Sequence, residues 1–103
     1  MAFWTVIGTG IVDDLQGKSF GLSLNTDDET WTVGGPSVDK FFTTKSGAYK
    51  IALIPEKGLQ LLNSHNEEAA FFTNLVGTSA VGDKGSGRAT EKGVNFNWKL
   101  DSK

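Results

Sequence analysis

The chain has no cysteine. That excludes disulfides, thiolate catalysis and cysteine-ligated zinc or iron–sulfur centres. It has one histidine, His65. A Ser-His-Asp triad would have to be built on it, yet Ser64 is only its neighbour in sequence and not a partner delivered by the fold. Long apolar runs are missing as well. No stretch approaches the roughly 20 residues that a membrane-crossing helix needs. The opening MAFWTVIGTGIVDD lacks the basic leader and small-residue cleavage site of a signal peptide. Small secreted domains often lean on disulfides, so the expectation is a cytoplasmic protein without a membrane segment. No catalytic residue, cofactor or metal ligand is assigned.

What is present is a chain of 103 residues, short enough for a single domain spanning 1–103, with eleven aromatics (seven Phe, three Trp, one Tyr) that argue for a packed core. The net charge is −2, unevenly placed. Residues 1–39 carry six acids (Asp13, Asp14, Asp27, Asp28, Glu29, Asp39) against Lys18, and the remainder carries nine bases against six acids. The simplest reading is solvated loop charge, with a dipolar surface as its sharper form.

Apolar residues recur with period two. In VNFNWKL, Val94, Phe96, Trp98 and Leu100 alternate with Asn95, Asn97 and Lys99. SFGLSLN, ETWTVG and AYKIALI repeat the pattern, so each reads as an antiparallel strand with one wet face. Gly8 and Gly10 inside FWTVIGTGIV suggest a bulge or sharp bend. DDLQGK, NTDDE and IPEKG read as turns. The expected fold is mainly β: an antiparallel barrel or strongly bent sheet, with hairpins over about 3–25 and 48–62.

Two segments carry helix signals. Ser64 and Glu67 have capping-box spacing, Ala69, Phe72 and Val76 form one flank, and Gly77 stands where a helix ends. A helix is expected over 65–76. In PSVDKFFTT, Pro36 suits a first helical turn, but its threonines suit a strand, so 36–44 is left between the two.

GDKGSGRATEKG, residues 82–93, has glycine spacing that fits neither a P-loop nor a Rossmann turn, and a strand rather than a helix follows it. It reads as a flexible hairpin loop. Lys84, Arg88 and Lys92 on such a loop are candidates to contact a polyanion or an acidic protein surface. The acids at 13–14 and 27–29 lack the alternating spacing of a calcium loop and read as turn residues. Phe3-Trp4 and Phe41-Phe42 are adjacent pairs. If each lies in a strand, one ring leaves the core face, which makes Trp4 and Phe42 candidate anchors for a partner.

The order strand, strand, strand, short helix, hairpin over residues 3–62 resembles an OB-fold. That resemblance implies single-stranded nucleic acid as one candidate ligand, although Trp31, Phe96 and Trp98 fall on the core side and the outward faces are Ser, Thr, Gly and Asn. The leading expectation is a non-enzymatic small binding protein that docks on another protein as an adaptor or inhibitor. It would use Trp4, Phe42 or an exposed strand edge, with Lys84, Arg88 and Lys92 as further contacts. Oligomeric state does not follow from the sequence.

Overall fold

The computed structural model describes residues 2–103. Eight strands close into an antiparallel barrel in which each strand pairs with the next and the last returns to the first. They are β1 Phe3–Gly10, β2 Ser19–Asn25, β3 Thr30–Gly34, β4 Ser46–Ala52, β5 Gly58–Leu62, β6 Glu68–Thr73, β7 Lys84–Ala89 and β8 Val94–Ser102. The expected hairpins are β1–β2 and β4–β5. Closure leaves no free edge, which removes the strand-edge mode of docking. The element order expected through residue 62 holds, but among the described residues the only helical ones there are the 3-10 turns Asp13–Leu15 and Val38–Lys40. The remaining chain adds three more strands, and the result is a simple up-and-down meander.

The period-two pattern points the large side chains inward. Phe20, Leu22, Leu24, Trp31, Leu59, Leu61, Phe96, Trp98 and Leu100 are all buried. An eight-stranded barrel has room for these side chains only if some inward positions are small. Glycine supplies them. On β7, Gly85 and Gly87 face Trp98 and Phe96 of β8, their register partners, and a Cβ at Gly85 would stand 2.6 Å from the indole nitrogen. On β1, a Cβ at Gly8 would run into the Phe20 ring. Gly8 and Gly10 therefore make room rather than a bulge, and the irregularity in β1 lies between Thr5 and Val6.

Three expectations are corrected here. Residues 82–93 are not a flexible loop. Six of the twelve form β7, whose inward glycines hide its alternation. Residues 65–76 are not a helix but hold strand β6. The Asn63 side chain accepts the N–H groups of His65 and Glu67 at 2.9 and 3.0 Å, making a turn where Ser64 was read as a cap. The run EAAFFT is buried on both faces, so no alternation shows. Phe71 is covered on the outside by the Arg88 guanidinium, 4.6 Å from its ring centre. Within 36–44, a 3-10 turn feeds Phe41 and Phe42 into the barrel, and neither ring is exposed.

The two ends of the barrel differ. At one end the β3–β4 connection seats Phe41 and Phe42 as a plug. Phe20 lies 5.0 Å from each ring and 5.0 Å from Phe96. Leu15 of the β1–β2 connection is buried beside them. Tilted and edge-to-face pairs of this kind add about 0.5–1.5 kcal/mol each beyond area burial.

Candidate functional site: the open mouth of the barrel

The other end is where β1, β3, β5 and β7 begin. Beneath it lies a cavity of about 230 Å³ lined by Trp4, Leu24, Thr26, Tyr49, Ile51, Leu59, Leu75 and Gly77. Alternation aims Trp4, Leu24, Tyr49, Ile51 and Leu59 inward at the ends of their strands, and the β6–β7 connection folds Leu75 and Gly77 over the top. That connection is fastened from several sides. Val76 N–H donates to Ser79 Oγ at 2.9 Å, and Ala80 N–H donates to Asp83 Oδ2 at 2.8 Å. Lys103 Nζ donates to the Ser79 carbonyl at 2.6 Å and stands 4.6 Å from the Trp4 ring centre, a cation–π position.

The titratable group at this wall is the Tyr49 phenol. Burial, and next the Glu29 carboxylate, push it above its usual value, so it stays a neutral hydroxyl. Glu29 is held beside it by the Tyr49 N–H, which donates to the Glu29 carbonyl at 3.0 Å.

Apolar surface collects at this end. Of the exposed large hydrophobics, Phe3, Ile51, Leu53, Ile54 and Val81 lie at or beside the mouth, and only Ile11 and Val12 lie at the plugged end. Leu53 is 68% and Ile54 86% exposed on the β4–β5 connection. Of the exposed residues at the mouth, only Ile51 lines the cavity itself; Ile54 borders an outer groove with Glu56, Glu68 and Arg88, and Phe3 one with Ser23, Asn25 and Thr32.

The residues singled out from sequence do not converge on one site. Trp4 is a wall of the mouth cavity, and Phe3 is the ring of that pair that faces outward. Phe42 is in the plug at the opposite end and cannot be a surface anchor. Lys84 is exposed at the mouth end of β7, directly opposite Lys99 on β8. Lys92 lies in the β7–β8 turn, beyond the far end of a strand that spans roughly 17 Å or more. Arg88 sits between them and is occupied. Its Nε and NH2 donate to Glu68 at 2.8 and 2.9 Å, and its NH1 donates to Glu56 at 2.9 Å. Both carboxylates hold the guanidinium even more firmly charged than usual. His65 is exposed in the β5–β6 turn. Sequence reasoning missed Tyr49, Ile51, Leu59 and Leu75 as a group. The available signal was that AYKIALI runs straight into a polar turn with Leu53 and Ile54 still unburied.

No helix among the described residues is long and apolar enough to cross a membrane. No protein-family model, no curated protein and no solved structure matches the chain. The fold and the mouth therefore stand by themselves as the basis for function. They define a closed eight-stranded up-and-down barrel, plugged at one end and apolar at the other.

Proposed function

We propose that this chain is a non-enzymatic binding protein that docks on another protein through the open mouth of its barrel. The mouth cavity receives one apolar side chain, and the rim around Leu53 and Ile54 is covered by the rest of the partner. The observation that carries this reading is the combination of a small apolar hole with exposed apolar residues on the connections at the same end. Cavities that take whole drug-sized ligands run to about 300–1,000 Å³. One of about 150 Å³ takes a single benzene ring, so a cavity of about 230 Å³ suits one side chain. A free small ligand would leave Leu53, Ile54 and Val81 bare, whereas a macromolecular partner covers them.

Gly77 gives a direct test. It lines the cavity, and a Cβ added there meets nothing within 4 Å. Gly77→Leu adds a bulky side chain at the cavity wall with no clash at its Cβ, and should obstruct the mouth without disturbing the barrel. A partner captured by the wild type should be lost with Gly77→Leu and weakened with Trp4→Ala. Equal capture by all three would place docking elsewhere.

The nucleic-acid alternative has weaker support. Arg88 is spent on two carboxylates, Lys84 and Lys92 lie at opposite ends of β7, and among the described residues no row of outward aromatics accompanies them. Retention on single-stranded DNA that fell steeply with salt would favour it over protein docking.

A further inference from the structure

The mouth carries a charge pattern as well as a shape. Its connections, residues 26–29, 53–57 and 74–83, hold Asp27, Asp28, Glu29, Glu56 and Asp83 against Lys57, and Lys84 and Lys103 at the same end bring the balance from −4 to −2, with three of the acids gathered on the 27–29 turn and those two bases on the β7–β8 side. The connections at the plugged end, residues 11–18, 35–45, 63–67 and 90–93, hold five acids (Asp13, Asp14, Asp39, Glu67, Glu91) against four bases (Lys18, Lys40, Lys45, Lys92), a balance of −1. Part of the mouth's charge is answered within the chain, since Glu56 meets Arg88. Glu29 and Asp28 stand on the turn beside Tyr49 and Thr26, both cavity walls.

The Lys103 contact adds a second, independent observation. At this same end, the chain's own ammonium rests on the face of Trp4 while donating to a carbonyl. A lysine side chain is thus accommodated where an aromatic wall and backbone oxygens come together.

We infer that the partner presents a basic-apolar segment: one large apolar side chain for the mouth cavity, flanked within a few residues by Lys or Arg that face the Asp28–Glu29 turn. This rests on the docking reading above and adds the partner's chemistry to it. The apolar side chain supplies the desolvated anchor, and the flanking cations supply orientation and rejection of acidic competitors. Exposed charge pairs of this kind are individually weak and screened by salt. The signature is therefore a preference among partners more than a large gain in affinity.

The test is selection of random seven-residue displayed peptides on the immobilised full chain at low salt, repeated on Gly77→Leu and on the double variant Asp28→Asn, Glu29→Gln. The expected outcome is enrichment of peptides with one large apolar residue next to Lys or Arg. Gly77→Leu should abolish it, and the double variant should weaken binding of the selected peptides about threefold per charge. Apolar peptides without basic excess, still lost on Gly77→Leu, would overturn the charge inference and leave the docking reading standing. Enrichment indifferent to Gly77→Leu, or none at all, would overturn both. Circular dichroism and urea midpoints of the variants check that the barrel is intact.

Discussion

Glu91 holds Thr44 by both backbone and side chain. Its Oε1 accepts the Thr44 N–H at 2.9 Å and the Thr43 N–H at 3.1 Å, while its Oε2 accepts the Thr44 hydroxyl at 2.7 Å. One carboxylate in the β7–β8 turn thus clamps the connection that delivers the Phe41–Phe42 plug. Glu91→Ala should cost about 1–3 kcal/mol, read as a lower urea midpoint, and Glu91→Gln less, because an amide oxygen still accepts. Burial pushes the Glu91 carboxyl up, but the bonds from Thr44, Thr43 and Asn63 outweigh it, and the group titrates below its ordinary 4.5. A depressed carboxyl contributes stability that is fully present above the unfolded value and is lost as pH falls through the folded one. The midpoint should therefore drop below about pH 4.5, and Glu91→Gln should remove part of that drop.

Two tryptophans use the same device. Trp98 Nε1 reaches past Gly85 of the neighbouring strand to the Thr73 carbonyl at 3.1 Å, and Trp31 Nε1 reaches past Gly47 to the Leu62 carbonyl at 3.0 Å. Each indole crosses one strand to bond the next, and glycine is the residue that permits the crossing. Gly85→Ala should destabilise by about 1–3 kcal/mol through overpacking. Gly47→Ala should cost at least as much, since its Cβ meets the Leu62 backbone carbonyl. Trp98→Phe, which removes only the donor and some volume, should cost less than Gly85→Ala combined with loss of the bond. Chemical denaturation followed by far-ultraviolet circular dichroism ranks the three.

This explains what the sequence disclosed and what it hid. Strands with one wet face, such as VNFNWKL and SFGLSLN, announce themselves by alternation. In KGSGRA the inward residues are glycines that answer Trp98 and Phe96 of β8, so the alternation is real but carries no hydrophobicity. In EAAFFT both faces are covered, Phe72 by the core and Phe71 by Arg88, so alternation vanishes and a helical period is as easy to find. Phe41 and Phe42 share burial because they stand on an irregular connection, where the strand rule for adjacent residues does not apply. The mouth was legible only in part. Trp4 was visible as a ring without a certain home, but the cavity needs Tyr49, Leu59 and Leu75 from distant segments.

The Arg88 fork has a measurable cost of removal. Burial raises the Glu68 carboxyl, but Arg88, Thr90 and Gln60 bind it and bring it below its ordinary value. The Arg88 side chain is 40% exposed, so solvent screens much of the Coulomb term. Arg88→Ala should lower stability by about 1–2 kcal/mol, partly by uncovering Phe71. Arg88→Lys should recover little of this, because one ammonium cannot span both oxygens of Glu68 and reach Glu56. Urea midpoints at two salt concentrations separate the packing loss from the ionic one.

Tyr49 is the only tyrosine, so phenolate absorbance reports it alone. Its titration midpoint should exceed 10.0, and Glu29→Gln should lower it while leaving the part due to burial. A raised phenol contributes stability that is fully present below the unfolded value and is lost as pH rises through the folded one, so alkaline unfolding should begin above about pH 10. Occupation of the mouth by an apolar probe should raise the midpoint further, which gives a spectroscopic readout of the cavity.

The pairing of β1 with β8 has a consequence for biosynthesis. Val6 faces Leu100 and Gly10 faces Phe96, so the first strand of this barrel to be synthesised must wait for its eighth. Until β8 has emerged, β1 and β7 are two unsatisfied margins. Truncating residues 94–103 would leave the finished molecule in that same state, and recruitment of a neighbour's margin is the natural way for it to complete its hydrogen bonds.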